Sequence, residues 1–387
     1  MQILILNHNI IWSGGTFFRA YHFSRQLVRR GHNVTLITTS RENRMRACES
    51  VAHGVRMIES PDLLWGRART GWDLWNTLRR IMFAGRRRYD LIHVFDSRPA
   101  AVLPGLWHRW RYGTRLIIDW ADWWGRGGTN SERPGRLLNL AVAPIETFFE
   151  EAFRPSANAN TVISRALHRR ALSLGVRREA VMHLVQGCDV EGIRPLEQAE
   201  VRRRLGLSEK TMVIGHVGIL LPRDADFLFS AHAVVHKERP DSQLLLMGRC
   251  GYDVSRFSGE GRSWFKTGEV SYERLNEYLA ACDVLLVPLS DTVANRARWP
   301  SRANDYLAAG RPVVVTRVGD LADLIEASGA GVVTYPTTEQ FACGVLGLLE
   351  NRELRLACGR RARSVAKTTL AWPRVTEALE KFYQTVL

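Results

Sequence analysis

The sequence contains no long hydrophobic run. Its apolar stretches are short, such as residues 284–289, and none approaches the ~20 residues that a membrane-spanning helix requires. The first seven residues lack the basic segment and the small-residue cleavage site of a secretory signal, and they are typical of a buried strand. We therefore expect neither a transmembrane helix nor a signal peptide.

Cysteine is also scarce and is never paired. The six cysteines are scattered along 387 residues without a CxxC pair, a distribution that argues against a disulfide framework and against a zinc site. A reducing, cytoplasmic environment fits this usage best.

Lysine is absent from residues 1–190. This half contains 28 arginines and 15 acidic residues, a formal charge of +13, whereas the rest has 26 basic and 24 acidic side chains. Nine of the twelve tryptophans also lie in the first half. A basic, tryptophan-rich half suggests contact with nucleic acid, an anionic membrane surface or anionic ligands.

Predicted strands alternate with helices in both halves. Strands are predicted at residues 3–6, 34–38, 91–94, 116–118, 161–163, 213–217, 244–247, 284–287 and 313–316, and helices near 17–30, 227–235, 272–281, 302–308 and 372–387. This βαβ order predicts an α/β fold with two Rossmann-like domains facing a cleft, where ligands bind at the carboxyl ends of strands. We place the domains at 1–190 and 191–370, and a C-terminal helix that could return to the first domain at 371–387.

Two adjacent glycines, Gly14 and Gly15, separate the first strand from the first helix. Glycine lets the backbone approach a ligand, and a helix N-terminus offers N–H groups to an anion. The alternative is an ordinary tight turn, and the pattern is not the GxGxxG that indicates a dinucleotide.

The segment 295–314 is the most informative of the chain. Three arginines precede or open a predicted helix, Ser301 can cap it, and Asp305 falls within its first two turns. Arginines beside a helix N-terminus suit a diphosphate, and a nearby carboxylate can accept hydrogen bonds from sugar hydroxyls. The alternative is a solvated basic loop with a capping acid.

An ordered series of motifs resembles the GT-B glycosyltransferases of family 4 over nearly the whole chain. The matching stretches are GGT at 14–16, LVRRGHNV at 27–34, DLIHV at 90–94, VIS at 162–164, QGCD at 186–189, GEV at 268–270, DVLLVP at 283–288 and DYLAAGRPVV at 305–314. The resemblance implies a GT-B fold, a nucleotide sugar donor on the second domain and an acceptor on the first. It also implies retention at the anomeric carbon and no obligatory metal or other cofactor.

The family's Glu-x7-Glu motif is altered in this chain. The glutamate that usually binds the nucleotide ribose corresponds to Asp305, and the one that usually contacts the donor sugar corresponds to Ala297. Since alanine cannot make that contact, Asn295 or Arg298 could substitute for it. The GEV stretch adds Val270 to the implied donor-binding residues.

The family's basic pair beside the donor diphosphate belongs in the loop after Gly218. Its arginine position is occupied by Ile219, and its lysine could be replaced by Arg223, although Asp224 competes for that alignment. Arg302 is then the best remaining cation for the diphosphate. With Ser301, Gly14 and Gly15, these residues form the predicted donor site. Such departures also leave open an inactive homologue.

Family members often have a His-Asp pair after the fourth strand, facing the reacting sugar. Here the histidine is replaced by Ala121, while Asp122 matches the aspartate. We predict Asp122 as the acidic group nearest the acceptor hydroxyl, with Asp119 second. The alternative for either is a strand-end aspartate that caps a turn. Trp123 and Trp124 could stack on a sugar, lie against lipid or be buried.

Arginine and tryptophan alternate with apolar residues between 67 and 111. Apolar side chains at mostly helical spacing, among them Leu78, Met82 and Phe83, are flanked by Arg67, Arg69, Arg79, Arg80 and the run 86–88. Such a surface suits an anionic membrane. A solvated arginine face on an ordinary helix is the alternative, and single-stranded nucleic acid is disfavoured because no binding motif accompanies it.

The sequence therefore predicts a cytoplasmic glycosyltransferase, peripheral on the inner membrane face, that acts on a lipid-linked or polysaccharide acceptor. Two alternatives remain from the residues alone. One is a sugar-nucleotide epimerase of the same architecture, and the other is a non-catalytic basic protein that binds membranes or nucleic acid.

Overall fold

The computed structural model describes residues 1–64, 70–132, 136–218, 222–248 and 263–387, with the backbone alone for 136–141 and 222. The chain forms two compact units. Unit 1 comprises Met1–Gln186, Ala297–Trp299 and Trp372–Leu387, and unit 2 comprises Gly187–Arg296 and Pro300–Ala371. The C-terminal helix joins unit 1, the return that the sequence assignment allowed. Two short stretches group differently from that assignment: 187–190 belongs to unit 2, and 297–299 belongs to unit 1.

Unit 1 is built on an eight-stranded sheet. Its strands are β1 Gln2–Ile10, β2 Asn33–Thr39, β3 Cys48–Ala52, β4 Val55–Ser60, β5 Leu91–Phe95, β6 Arg115–Trp120, β7 Ala159–Val162 and β8 Val181–His183. They lie in the order β3-β4-β2-β1-β5-β6-β7-β8, and all neighbours are parallel except β3 and β4. The direction of winding changes between β1 and β5.

Five helices alternate with these strands, and a sixth closes the chain. They are α1 Gly15–Arg29, α2 Leu74–Ala84, α3 Pro99–Tyr112, α4 Arg136–Glu151, α5 Arg165–Ser173 and the last helix of the chain, Trp372–Val386. The apolar run of β1 from Ile3 to Leu6 is fully buried, as expected for a parallel strand covered on both faces.

Unit 2 is built on a six-stranded parallel sheet. Its strands are β9 Met212–Val217, β10 Ser242–Met247, β11 Trp264–Lys266, β12 Val284–Val287, β13 Val313–Thr316 and β14 Gly331–Thr334. The order is β11-β10-β9-β12-β13-β14, with the winding reversed between β9 and β12. The prediction of an α/β fold with doubly wound parallel sheets is confirmed.

Short helices flank this second sheet. They are α6 Gln198–Leu205, α7 Pro222–Glu238, α8 Tyr272–Ala281, α9 Val293–Ala297, α10 Arg302–Ala308, α11 Asp320–Ser328, α12 Thr338–Glu350 and α13 Arg352–Val365, so that the last helix of the chain is α14. Buried apolar side chains of α7 and α12 form the core of one face with β9, β10 and β12. Within the described residues, no helix is both long enough and apolar enough to cross a membrane.

Helix α14 is joined to unit 1 by specific side-chain contacts. The rings of Trp372 and His22 stack with centroids 4.7 Å apart. The Tyr383 hydroxyl lies 2.7 Å from Nδ1 of the buried His93, and the Glu380 carboxylate lies 2.6 Å from Nε2 of His32. Aromatic and hydrogen-bonded contacts therefore fix the end of the chain on the first unit.

Candidate functional site

The candidate sites lie where each sheet reverses its winding. Open parallel sheets bind ligands at the carboxyl ends of the strands beside such a reversal. In unit 1 these strands are β1 and β5, and in unit 2 they are β9 and β12.

In unit 1, the turn from β1 into α1 requires glycine at one of its two predicted positions. Gly14 has a φ of 86°, in the left-handed region, and a Cβ there would lie 2.9 Å from the Asn9 side-chain nitrogen. Gly15 has a negative φ and open space around its Cβ position. No side chain caps α1, so its first N–H groups are available to an anion.

Asp122 lies beyond the carboxyl end of β6 and is half-buried. Burial, with a further contribution from the Asp96 carboxylate, raises the pKa of Asp122 to about 6, against the opposing charge of Arg298. Asp96 follows β5 with a φ of 83° and lies 3.4 Å from Nδ1 of His8. A carboxyl group with such a pKa can exchange a proton with a hydroxyl near neutral pH.

His8 itself remains neutral. Its burial lowers the pKa to about 3 despite the nearby Asp96. Neither His8 nor Asp96 stood out in the sequence. Their positions in the sequence could have identified them, since His8 lies near the end of the predicted first strand and Asp96 follows the predicted strand that became β5.

Asp119 does not fit the second catalytic position predicted for it. Its side chain is fully buried, and Arg19 donates from Nε and Nη2 to its two carboxylate oxygens at 3.0 Å. Thr161 donates a third hydrogen bond at 2.5 Å. Burial alone would raise the pKa of Asp119, but the Arg19 charge and these bonds lower it. The Asp119 carboxylate is therefore engaged by hydrogen bonds within unit 1, and its burial keeps it away from an acceptor.

Glu150 of α4 fixes the segment that follows Asp122. Its carboxylate accepts hydrogen bonds from the backbone N–H groups of Trp124 and Gly125, both at 2.7 Å, and from the Trp120 indole at 2.9 Å. The indoles of Trp123 and Trp124 are half-buried. Sequence reasoning missed Glu150 because nothing local links it to a loop 25 residues earlier.

In unit 2, three glycines meet at the carboxyl end of the sheet. Gly218, Gly248 and Gly268 have φ values of 103°, 110° and 71°, and the Gly248 N–H donates to the Gly268 carbonyl at 2.9 Å. A Cβ on Gly248 would lie 3.4 Å from backbone atoms of Gly218. Backbone thus forms this edge of the sheet, as close approach to a ligand requires.

Arg302 lies beside Gly218. Its Nη1 donates to the Val217 carbonyl at 2.8 Å and lies 3.2 Å from Nε2 of His216. A Cβ on Gly218 would lie 3.2 Å from the same nitrogen. The structure therefore brings together two of the predicted donor-binding residues.

Asp305 lies one turn farther along α10, and the Tyr272 hydroxyl donates to its carboxylate at 3.3 Å. Burial, with the nearby Asp189 carboxylate, raises the pKa of Asp305 to about 7. The neighbouring Tyr306 is fully buried, and its hydroxyl accepts a hydrogen bond from the Val217 N–H at 2.7 Å. This bond sets α10 against the end of β9.

Of the two positions predicted for the basic pair after Gly218, only the second is among the described residues. Ile219 lies outside the described residues, while Arg223 is exposed on the first turn of α7. The competing Asp224 is buried and accepts hydrogen bonds from the Ser290 hydroxyl at 2.7 Å and from its N–H at 3.3 Å. Asp224 thus has a structural role, which leaves the alignment with Arg223.

Two predictions in the 295–301 segment need correction. Asn295 is buried and donates to the Ser290 carbonyl at 2.8 Å, so it stabilises the loop after β12 instead of presenting its amide to a ligand. Ser301 precedes α10 but makes no side-chain capping bond. Arg298 is half-buried and groups with unit 1, and Val270 is half-buried in the loop before α8.

Comparison with known proteins places both units in glycosyltransferase families. Residues 14–187 match the model of the glycosyl transferase 4-like domain, and residues 211–351 match that of the glycosyl transferases group 1. The two models cover most of the chain between them. By these matches the chain groups with the glycosyltransferase families.

Solved structures show the same fold. A sucrose-phosphate synthase from Thermosynechococcus elongatus superposes with a TM-score of 0.78 at 16% identity, covering 100% of this chain and 99% of that one. HepE of Anabaena, solved with UDP and glucose, gives a TM-score of 0.73 at 15% identity over 100% of both chains.

A curated relative is the GDP-mannose-dependent monoacylated α-(1-6)-phosphatidylinositol monomannoside mannosyltransferase of Corynebacterium glutamicum. It is 26% identical over 234 residues, which span 58% of this chain and 61% of the relative. Several other curated relatives are matched over about half of their length. The chain belongs to the GT-B glycosyltransferases of family 4 type, as the motif series predicted.

Proposed function

We propose that this protein transfers a glycosyl group from a nucleoside diphosphate sugar to a hydroxyl of a lipid-linked or saccharide acceptor. The observation that carries the proposal is the cluster of Gly218, Arg302 and Asp305 at the reversal point of the unit 2 sheet. The cluster combines a glycine whose backbone a ligand can approach closely with a cation and a carboxylate. The cation and the carboxylate lie within one turn of each other on α10. Those groups suit a diphosphate and the hydroxyls of a ribose.

In this proposal the donor binds unit 2 and the acceptor binds unit 1. The bond between the anomeric carbon and the diphosphate breaks, the diphosphate leaves with the electron pair, and the acceptor oxygen bonds to the anomeric carbon. Asp122, ionised above a pKa of about 6, receives the acceptor proton or orients that hydroxyl. Arg302 stabilises the charge that develops on the diphosphate. We expect retention at the anomeric carbon and no metal requirement.

The acceptor side is also proposed to bind an anionic membrane surface. Leu74, Leu78 and Met82 are exposed by 73%, 56% and 55%, and their i, i+4, i+8 spacing aligns them on one face of α2. We call these three residues the α2 stripe. Exposed arginines at 86–88 follow the helix directly. Apolar side chains beside cations suit the boundary between lipid headgroups and acyl chains.

Two residues predicted for this surface face the interior instead. Arg80 is fully buried and donates to the Asn7 carbonyl at 2.7 Å, and Phe83 lies in the core of unit 1. Arg67 and Arg69 lie outside the described residues. The proposed surface is therefore narrower than the sequence predicts.

Thermal unfolding with UDP-, GDP-, ADP- and dTDP-sugars tests the donor site. A ligand at 100 times its Kd adds about 2.7 kcal/mol to the free energy of unfolding, so at least one donor should raise the Tm of the wild type. Asp305→Ala should lose that rise. Asp241→Ala, which changes an exposed carboxylate directly before β10, should keep it. Donor-independent Tm values for the wild type, or an unchanged rise in Asp305→Ala, would contradict the assignment.

A further inference from the structure

The turn after β1 contains a tryptophan in a backbone conformation that favours glycine. The Ser13 N–H donates to the Ile10 carbonyl at 3.0 Å, which closes a four-residue turn with Trp12 at its third position. The φ of Trp12 is 56°, in the left-handed region. Glycine or asparagine is usual there, because the Cβ of other residues crowds the following carbonyl. A bulky side chain is therefore unusual at this position of the turn.

The indole of Trp12 is fixed in place yet half-exposed. Its ring centroid lies 5.3 Å from that of Phe17 and 4.9 Å from that of Tyr21, and both pairs are nearly perpendicular. The Tyr21 hydroxyl is in turn 2.6 Å from Nδ1 of His53. Even so, 48% of the Trp12 side chain remains exposed. Neighbours thus restrict the ring without covering it.

The position of Trp12 is at the ligand-binding edge of unit 1. In the sequence it lies between His8, whose Nδ1 is 3.4 Å from the Asp96 carboxylate, and Gly14, the N-cap residue of α1. The nearby Phe18 is exposed by 40% and lies edge-on to Phe17. These aromatic side chains therefore follow the carboxyl end of β1, the strand end near which His8 and Asp96 lie.

We propose that Trp12 is the stacking platform for the ring of the acceptor, a pyranose or a cyclitol. The electron-rich face of an indole attracts the C–H hydrogens that such rings present on their apolar face. This inference rests on the proposed function, which places the acceptor on unit 1 and the nucleotide on unit 2. In this proposal Trp12 is an acceptor-binding residue, and its strained left-handed backbone distinguishes it from the other described tryptophans of the first unit.

Saturation-transfer NMR tests this role with defined probes: the methyl glycosides of glucose, galactose and mannose, myo-inositol, and UMP. Wild-type protein should transfer saturation to the ring C–H protons of at least one glycoside or of myo-inositol. Trp12→Gly and Trp12→Asn, which suit the left-handed turn, should abolish that transfer, and Trp12→Phe should retain part of it. Trp110→Ala removes an indole that is exposed by 80% on α3, and should change nothing.

Circular dichroism and the donor-induced rise in Tm separate this proposal from the one on which it rests. Trp12→Gly should keep the far-UV circular dichroism spectrum of the wild type and its donor-induced rise in Tm. Equal transfer in Trp12→Gly and the wild type, no transfer from the wild type to any ring, or Trp12-dependent transfer to UMP alone would overturn the stacking role while the donor response stands. Absence of the donor response in the wild type would instead count against the proposed function.

Discussion

Asp119 and Asp122 show how surroundings divide the roles of two identical side chains three positions apart. Asp119 is fully buried, but two hydrogen bonds from Arg19 and one from Thr161 stabilise its charged form. Burial, with a further contribution from the Asp96 carboxylate, raises the pKa of Asp122 to about 6. A paired carboxylate stabilises the fold, whereas a carboxyl group with a raised pKa is suited to proton transfer.

Asp305 should make stability depend on pH. Its pKa is raised to about 7 in the folded protein, against ~3.9 in an unfolded chain, so the folded state retains a proton over that interval. The free energy of unfolding should therefore fall as pH rises from about 4 to about 7, because ionisation is disfavoured only in the folded state.

Asp305→Asn removes this titration while keeping the shape of the side chain. We expect its Tm to exceed that of the wild type at pH 8 and to approach the wild-type value near pH 5, in thermal melts without ligand. Asp241→Asn serves as the exposed control. A Tm difference that is the same at both pH values would show that Asp305 is not the titrating group.

For single residues, the sequence predicted the place in the fold better than it predicted the burial and the hydrogen-bond partners of the side chain. The left-handed turn at Gly14 and the place of Asp305 near the start of α10 follow from local pattern. The burial of Arg80 does not, because its partner Asn7 lies 73 positions away and is brought near only by the folded chain. Local sequence shows that a polar residue is present but not what it contacts.

Among the secondary-structure elements, buried strands were predicted best. The bounds of β12, β13, α8 and α10 agree with the sequence prediction, because apolar runs and glycine stops mark them clearly. Strand β3 was missed because it is almost wholly exposed and shows no alternation of apolar and polar residues. The helical character of α14 was predictable, but its contact with His93 depends on a residue 290 positions away.

The α2 stripe gives a prediction at the scale of one helix. Burying an exposed leucine or methionine in a bilayer stabilises binding by about 1.5 kcal/mol or more, and a nearby arginine adds about 1 kcal/mol on anionic lipid. Co-sedimentation with phosphatidylglycerol vesicles should therefore fall more than tenfold in the double variant Leu78→Glu, Met82→Glu.

A matched control is available on the same unit. Val51→Glu changes an apolar side chain that is exposed by 73% on the edge strand β3, and it should leave sedimentation near the wild-type level. Equal loss in both variants would indicate a general charge effect. Unchanged binding of the double variant would remove α2 from the contact surface.

Across the whole molecule, the uneven charge now has a more specific interpretation. The excess of +13 belongs to the half that forms most of unit 1, whereas residues 191–387 are nearly neutral. Unit 2 nevertheless places Arg302, the cation that we propose for the diphosphate, at the end of β9. We therefore connect the bulk of the positive charge with the acceptor and the membrane, and not with the donor.

Glycosyl transfer itself is tested by analysis of the reaction products. The purified protein is incubated with the nucleotide sugar that raises its Tm most and with anionic vesicles containing a bacterial lipid extract. Nucleoside diphosphate release and lipid masses are then measured for the wild type, Asp122→Asn and Asp241→Asn. We predict nucleoside diphosphate release together with an acceptor one glycosyl unit heavier in the wild type and Asp241→Asn, and a loss of both in Asp122→Asn. An isomerised nucleotide sugar without diphosphate release would contradict it, as would equal turnover by the wild type and Asp122→Asn.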